Sequence, residues 1–308
     1  LFLSSNTFES MAGYISFIKN NNILILLDKS FDKKFVGKMI KNYKPSFIYK
    51  PKNYFLKIFK NKSLHNGDKY ELLRTNFKLK TDYNKKNFLL LTTSGSTQNP
   101  KLVRLSEYNI LNNVKKIIRY LNIKSKNVTI TTMPMAYSYG LSVINTFIYS
   151  GAKIALSEKS VFEKGFWEKV KNLKVNSISG VPEFLEFLKK LKFDKFKIYG
   201  FKYLTHAGGK LEKNIIEYFV NIAKKNNHKF YSMYGQTEAS PRMSYLECTK
   251  NLKKIGSIGK PLKGSKFLLI DEKKEIIRKN FKIGEIVYRG KNVCMGYANN
   301  IKDLYKGN

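Results

Sequence analysis

Short apolar runs alternate along the chain with longer segments in which apolar residues recur every three or four positions. The short runs are typical of buried strands, and the longer segments are typical of helices with one apolar face. The predicted strands are residues 23–27, 88–92, 128–132, 152–156, 177–180, 201–205 and 229–233. The predicted helices begin near Ser106, Leu141, Phe166, Pro182 and Leu211. Strands that alternate with helices predict an α/β fold of layered parallel sheets flanked by helices.

The pattern changes after Tyr234, where glycines recur between short apolar segments such as 267–270 and 285–288. This spacing predicts a small antiparallel or barrel-like region. The sequence contains no internal repeat and no long linker, so the strands and helices are expected to form one core.

The formal net charge is +36, from 58 Lys and Arg against 22 Asp and Glu. A charge of this size favours an anionic partner such as nucleic acid or an acidic membrane surface. The lysines are spread along the whole chain, however, which favours a solvated basic surface over a single binding face. The sequence also has no helix-turn-helix, zinc-finger or aromatic RNA-binding pattern, so we do not expect a nucleic-acid partner.

The two cysteines, Cys248 and Cys294, lie far apart and form no CxxC or Cys/His pattern. We therefore expect neither a disulfide framework nor structural zinc, and a reducing compartment such as the cytoplasm fits best. No apolar run approaches the length of a membrane span, and the first three residues lack the basic flank of a signal peptide. The start at Leu1 rather than Met is compatible with a fragment.

A polar loop with the sequence TTSGSTQNPK follows the predicted strand at 88–92. Its hydroxyls and backbone N–H groups can bind phosphate oxygens, and its lysine adds a positive charge. The spacing differs from that of a Walker A motif, and from these residues alone an ordinary polar turn is an open alternative. The candidate phosphate ligands are Thr93, Ser94, Gly95, Ser96, Thr97 and Lys101.

A second polar segment, YGQTE at 234–238, follows the predicted strand at 229–233. Tyr234 can stack on a base, Thr237 can bond a phosphate, and Glu238 can hold Mg²⁺. Taken alone, the same segment also fits the capped start of a helix. The candidate nucleotide ligands of this segment are Tyr234, Gly235, Gln236 and Thr237.

Two further segments follow predicted strands. The first contains Ala207, Gly208 and Gly209, whose glycines allow a backbone to approach a ligand closely. The second is MPMAYSYG at 133–140, where the side chains of Tyr137 and Tyr139 either shape a ligand pocket with Gly140 or pack in the core.

Together these segments resemble the adenylate-forming, or AMP-binding, superfamily, which includes acyl-CoA synthetases, peptide-synthetase adenylation domains and luciferases. The loop at 93–101 resembles its phosphate loop, 234–238 its second signature, and 133–140 the motif beside its acyl pocket. The resemblance implies the family's large domain, with layered parallel sheets flanked by helices and a small β-barrel-like region. The stretches KLVRLS, YGQTEASPRMSYL and GKNVCMGYANN also resemble synthetases from bacterial surface-polysaccharide gene clusters.

The resemblance implies a ligase that uses ATP to activate a small carboxylic acid as acyl-AMP and releases pyrophosphate. ATP and Mg²⁺ are the implied cofactors, and CoA or the thiol of an acyl carrier protein is the implied acceptor. The implied catalytic residues are Thr237, Glu238 and Lys101, with Glu238 as the metal ligand. The adenine pocket is implied at Ala207, Gly208 and Gly209, and the acyl pocket at Tyr137, Tyr139 and Gly140.

The resemblance divides residues 1–308 into a truncated first part at 1–85, a phosphate-loop and nucleotide-binding part at 86–240 and a β-rich part at 241–308. Family members continue into a small C-terminal domain with a catalytic Lys. We expect this domain to be missing here, and we expect the chain alone to adenylate poorly. A catalytically inactive nucleotide-binding fragment is the first alternative, and a basic nucleic-acid-binding protein is a remote one.

Three other residues near the motifs carry open expectations. Gln98 stands where the family usually has Gly. His206 either touches the nucleotide or is a strand-end histidine with ordinary hydrogen bonds. Arg242 either meets a phosphate or carboxylate of a ligand or forms a surface ion pair, and we expect the ion pair.

Overall fold

The computed structural model describes residues 1–56, 62–78, 82–93, 101–196 and 198–307. Its helices are Phe8–Lys19 (α1), Lys33–Tyr43 (α2), Glu107–Leu121 (α3), Ser138–Tyr149 (α4), Lys164–Asn172 (α5), Pro182–Lys190 (α6) and Lys213–Lys225 (α7). Its strands are Phe2–Ser4 (β1), Leu24–Asp28 (β2), Phe47–Pro51 (β3), Lys62–Asn66 (β4), Tyr70–Arg74 (β5), Leu89–Thr92 (β6), Leu102–Leu105 (β7), Val128–Ile130 (β8), Lys153–Ala155 (β9), Ser177–Gly180 (β10), Tyr203–His206 (β11), Lys229–Gly235 (β12), Arg242–Glu247 (β13), Lys260–Pro261 (β14), Lys266–Ile270 (β15), Glu285–Arg289 (β16) and Tyr297–Ala298 (β17).

Most of these strands belong to two large sheets. Sheet A has the order β17-β7-β6-β2-β1-β3-β5-β4, and sheet B has the order β14-β13-β12-β11-β10-β8-β9. The strands from β6 to β3 in sheet A and from β12 to β9 in sheet B are parallel, and antiparallel strands extend both sheets. The predicted parallel sheets are therefore confirmed, with antiparallel edges that the sequence pattern did not reveal.

The described helices and sheets form five layers, and clusters of buried apolar side chains lie between these layers. Helix α2 covers one face of sheet A, and α1, α3 and α4 cover the other face. Helices α3 and α4 also pack against sheet B, whose outer face carries α5, α6 and α7. Both sheets are thus buried between helices, as expected for parallel strands joined by helical crossovers.

Strand β2 shows why a continuous apolar run is needed in such a layer. Successive side chains of a strand point to opposite faces. Leu24 and Leu26 accordingly join the cluster under α3 and α4, whereas Ile25 and Leu27 join the cluster under α2. Burial of each such side chain contributes about 1.5–3 kcal/mol, so a polar residue at either kind of position is disfavoured.

Helix α3 begins with a capping box. The Ser106 hydroxyl accepts a hydrogen bond from the Asn109 N–H at 3.1 Å, and the Asn109 side-chain oxygen accepts one from the Ser106 N–H at 3.0 Å. The apolar stripe behind this cap is divided between the sheets, with Val114 towards sheet A and Ile117 towards sheet B. The helix therefore joins the two halves of the core.

The seven predicted strands are present within two residues of their expected bounds, and the five predicted helices begin within three residues of theirs. Pro182 occupies the first turn of α6, where its missing N–H costs no hydrogen bond. Strands from all three predicted parts of the chain lie in sheet A, since β1, β6 and β17 come from the first, second and third part.

The glycine-rich end is antiparallel, which was one of its two expected forms. In the described residues, β15 and β16 form a two-stranded ribbon, whereas β14 joins sheet B and β17 joins sheet A. The antiparallel form is therefore confirmed in the described residues, where the short strands form a ribbon or extend the edges of the two large sheets. No helix among the described residues is long and apolar enough to cross a membrane.

Candidate active site

The predicted site segments all follow carboxyl ends of parallel strands. The polar loop starts after β6, Ala207 follows β11, and the YGQTE segment spans the end of β12. Ligands of open α/β sheets bind at this edge, because loops from neighbouring strands meet there. Thr93 and Lys101 are described, whereas Ser94, Gly95, Ser96, Thr97 and Gln98 lie outside the described residues.

Glu238 and Lys101 both contact Tyr297, a residue to which the sequence assigned no site role. The Tyr297 hydroxyl donates a hydrogen bond to Glu238 Oε1 at 2.8 Å. The exposed Lys101 ammonium lies 4.1 Å from the centroid of the same ring, which is a cation–π contact. The bond to Glu238, together with desolvation, raises the pKa of Tyr297 to about 12, so the phenol remains a donor at neutral pH. Tyr297 was recognisable only as part of a motif near the chain's end, because nothing local indicates that β17 pairs with β7.

Thr237 connects the YGQTE segment to α4. Its hydroxyl donates to the Ser138 hydroxyl at 3.0 Å. Ser138 is the first residue of α4 and follows Tyr137 directly. The two predicted motifs at 133–140 and 234–238 are therefore in contact, which their separation in the sequence did not require.

The YGQTE segment is held in its turn by its own backbone and by the segment before β17. A Cβ atom on Gly235 would lie 2.0 Å from the Pro241 carbonyl oxygen, so only glycine fits there without displacement. The Gln236 N–H donates to that oxygen at 2.9 Å. The Cys294 N–H donates to the Glu238 carbonyl at 2.7 Å, and the Asn292 side chain donates to the Ala239 carbonyl at 2.6 Å. These bonds hold the backbone of the turn in place without involving the Glu238 carboxylate.

The Ala207 segment forms a wall with Tyr137. Gly208 has φ +92°, and a Cβ there would lie 2.6 Å from the Tyr137 hydroxyl oxygen. Gly208 and Gly209 are exposed, whereas Ala207 is buried. Tyr234 is 36% exposed, and its ring centroid lies 6.5 Å from that of Phe267. The arrangement leaves exposed glycine backbone and an aromatic face available to a base.

The three residues predicted for the acyl pocket lie in different surroundings. Tyr137 is partly exposed, and burial raises its pKa. Tyr139 is buried, with its hydroxyl 2.9 Å from that of Thr205. A Cβ on Gly140 would lie 2.6 Å from the Pro134 carbonyl oxygen, so this glycine allows close packing at the start of α4. Of the three, Tyr137 has the surface that a ligand can reach.

His206 and Arg242 are both buried. The His206 ring has Nδ1 3.3 Å from the Ser232 hydroxyl, and burial lowers its pKa to about 4, partly opposed by the Gly209 backbone. It is therefore neutral at pH 7.

Arg242 is 2% exposed and has no ion pair among the described residues, so the expected surface ion pair is wrong. The residue lies on β13, behind Tyr139, and its guanidinium carbon is 4.5 Å from the centre of that ring.

A groove of about 380 Å³ lies near these residues and contains none of the predicted site residues. It follows the ends of β1, β2, β8 and β9, and its lining includes Asn6, Thr132 and Glu183. Lys29 and Glu158, which both line the groove, form an ion pair with 2.5 Å between Nζ and Oε1. The groove has charges of both signs, so its electrostatics select no particular ligand.

The chain is similar in sequence to known CoA ligases. It is 26% identical to the oxalate–CoA ligase of Saccharomyces cerevisiae over 70% of its length and 38% of the relative's length. It is 30% identical to the 2-succinylbenzoate–CoA ligase of Bacillus anthracis over 68% of its length and 42% of the relative's length. The chain thus spans less than half of either relative.

Among solved structures, the fold is similar to that of O-succinylbenzoate coenzyme A synthetase from Bacillus subtilis in complex with ATP and magnesium ion. The TM-score is 0.77 at 18% identity, covering 98% of this chain and 62% of the other. The family model for the AMP-binding enzyme matches residues 79–298, which include every predicted site residue. The resemblance read from the motifs is therefore confirmed, and the chain belongs to the AMP-binding enzyme family.

Proposed function

We propose that this chain binds MgATP and activates a small carboxylic acid as acyl-AMP, with CoA or a carrier-protein thiol as the later acceptor. One arrangement of contacts supports the proposal. Lys101 and Glu238 both contact Tyr297, and Thr237, the neighbour of Glu238 in the chain, is hydrogen-bonded to Ser138. These groups combine a cation, a carboxylate and hydroxyls at the edge of the sheets where nucleotides bind. The CoA ligases among the relatives, named for oxalate and 2-succinylbenzoate, support a carboxylic acid as the substrate.

In the proposed reaction, a carboxylate oxygen of the acid bonds to the α-phosphorus of ATP. The bond between the α-phosphorus and the bridging oxygen breaks, and pyrophosphate leaves with that electron pair. Both reactants are anions, so positive charge and hydrogen-bond donors must offset their repulsion. Lys101 supplies such a charge, and the Thr237 hydroxyl supplies a donor when it turns from Ser138 to a phosphate oxygen.

The residues present fit a magnesium ion carried by the nucleotide. Mg²⁺ keeps several waters and binds through substrate phosphates with one or two carboxylates. Glu238 offers one carboxylate, and the described residues contain no cluster of three or more acidic, His or Cys side chains that would form a separate metal cage. When bound, the ion would neutralise phosphate charge. Tyr297 would orient the Glu238 carboxylate towards it through Oε1.

The test is trapping of the acyl-adenylate with hydroxylamine. The chain is incubated with MgATP and a mixture of small mono- and dicarboxylic acids, and the hydroxamates formed are identified by mass spectrometry. We expect at least one hydroxamate that requires ATP and is lost in Glu238→Gln but kept in Glu272→Gln, an exposed residue on the β15–β16 turn. Hydroxamate yields that are the same without ATP, or the same in Glu238→Gln, would contradict the proposal.

Two finer expectations are also proposals. One is that a separate small domain with a catalytic Lys raises the yield, so adding the C-terminal domain of a related ligase should increase hydroxamate formation. The other is the subgroup of surface-polysaccharide synthetases, which predicts an acid whose activated form is transferred during sugar modification. The chemical identity of the acid found in the trapping experiment tests this second expectation.

A further inference from the structure

Three cationic side chains are buried in the described part of the protein: Lys50, Arg104 and Arg242. Lys50 is paired with Glu71 at 2.5 Å. Arg104 is surrounded by backbone carbonyl oxygens, which accept from both of its terminal nitrogens. These oxygens belong to Asp303, Lys306, Met295 and Gly307. Each of these two charges therefore has an anionic group or a set of strong acceptors around it.

Arg242 has only neutral partners. Its Nη1 donates to the Tyr120 hydroxyl at 3.0 Å and to the Met233 sulfur at 2.8 Å. Its Nη2 donates to the Ser142 hydroxyl at 3.1 Å. Nε has no hydrogen-bond partner among the described residues, although a guanidinium has five N–H donors. The Nε of Arg104 also has none there, but Arg104 has four carbonyl oxygens as acceptors, whereas the side chain of Arg242 has no carbonyl acceptor in the described ranges.

The charge of Arg242 is thus buried without an anionic partner in the described part of the chain, where only neutral acceptors and the cation–π contact with the Tyr139 ring offset its desolvation. All 22 acidic residues of the sequence fall within the described ranges, and no ion pair there includes Arg242. Arginine cannot lose its proton at any pH of interest, so the charge persists. A buried charge without an opposite charge is costly, and buried charges in proteins are normally paired.

Arg242 is fixed in place on the acyl side of the candidate site. Its backbone N–H donates to Asn113 Oδ1, and its carbonyl accepts from the side chains of Asn113 and Asn292. Its guanidinium lies against Tyr139 and touches Ser142, both on α4. Ser138, at the start of the same helix, bonds Thr237. The charge therefore lies against α4, while the backbone of Arg242 pairs with Gly235 of the nucleotide segment across β12 and β13.

We propose that Arg242 selects acids that carry a second anionic group, such as a carboxylate at the far end of the acyl chain. This inference rests on the proposed function. The reacting carboxylate cannot serve as the lasting partner, because it loses its charge when it becomes part of the acyl-phosphate anhydride. A second carboxylate keeps its charge through binding and reaction. It pairs with the Nε–H and the unused Nη2–H, which lie side by side on the guanidinium.

The test uses matched pairs of non-reactive acyl-adenylate analogues, the 5′-O-(N-acylsulfamoyl)adenosines. The acyl groups are succinyl against butanoyl and glutaryl against pentanoyl, so each pair differs in a terminal carboxylate. Calorimetric titration of the full chain should show tighter binding of at least one dicarboxylic analogue, by about tenfold or more. Arg242→Met should abolish the difference, and Arg242→Lys should retain part of it.

Arg104→Lys is the matched control, because it alters another buried arginine and should leave the preference unchanged. Unmodified 5′-O-sulfamoyladenosine has no acyl group, so its binding tests the proposed function separately from the present inference. If wild type does not bind it, the proposed function fails. If wild type binds it but binds the members of each pair equally, only the present inference fails. A preference that persists in Arg242→Met also overturns the inference. The wild-type comparison decides the matter even if Arg242→Met does not fold.

Discussion

Tyr297 provides the most specific test of how the candidate site is assembled. Its hydroxyl holds Glu238, and its ring lies under Lys101. Tyr297→Phe removes the hydroxyl and keeps the ring, whereas Tyr297→Leu removes both. The two variants therefore separate the orientation of the carboxylate from the positioning of the cation.

The expected magnitudes follow from the exposure of these groups. A hydrogen bond to an ionised carboxylate contributes about 1.5–3 kcal/mol when it is protected from water. Tyr297 is 43% exposed, so we reduce the value to about 1 kcal/mol. That corresponds to about fivefold weaker MgATP binding for Tyr297→Phe. Loss of an exposed cation–π contact costs about 0.5–1 kcal/mol more, so Tyr297→Leu should bind about two- to fivefold more weakly again.

The assay is calorimetric titration with MgATP, with thermal unfolding recorded for each variant. Tyr108→Phe is the matched control, because Tyr108 is an exposed tyrosine on α3, 56% accessible, and has no proposed role in the site. Equal affinity of Tyr297→Phe and wild type would refute the proposed orientation of Glu238. Equal affinity of the Phe and Leu variants would refute the positioning of Lys101.

Three further predictions concern other parts of the structure. The pKa of His206 falls from 6.5 unfolded to about 4 folded, so the unfolded chain binds more protons between these values. At 1.36 kcal/mol per pH unit, the stabilisation lost between about pH 6.5 and pH 4 is about 3 kcal/mol. Urea unfolding should show this loss in wild type and not in His206→Gln; parallel pH profiles would contradict it. Gly208→Ala should weaken binding of 5′-O-sulfamoyladenosine by calorimetry, because its Cβ meets Tyr137, whereas Gly151→Ala, at φ +61° with open space around it, should affect stability alone. A binding loss of the same size in both would count against the wall at Gly208. Ser106→Ala should lower the free energy of unfolding by about 1 kcal/mol through loss of the α3 cap, and an unchanged urea midpoint would disprove it.

The sequence predicted strands and helices whose apolar pattern is set by the burial of their own segment. The run at β2 faces helices on both sides, and the stripe of α3 faces two sheets, so each pattern is complete within its own segment. Helices α1 and α2 and eight strands of the described structure were not predicted: β1, β3, β4, β5, β7, β13, β14 and β17. Of these strands, β4 is exposed throughout and β17 has two residues. Their positions depend on pairing with β5 and β7, which no local pattern records.

The site shows the same limit. The motifs identified Lys101, Thr237 and Glu238, because phosphate and metal chemistry restricts the residue types. The sequence did not reveal that Tyr297 joins two of them, since that contact requires β17 to pair with β7. The expected ion pair of Arg242 was wrong, because an arginine after a polar segment resembles a surface residue until β13 is placed between β12 and β14. The roles of the predicted ligands in binding stay predictions.

In the proposed site, the YGQTE segment binds MgATP through Thr237 and Glu238. The most direct measurement is calorimetric titration of MgATP into wild type, Thr237→Ala, Glu238→Gln and the control Glu272→Gln. We expect saturable binding to wild type and to the control, and binding that is at least about tenfold weaker to the two site variants. Absence of saturable binding to wild type, or equal binding to all four proteins, would contradict the proposed site.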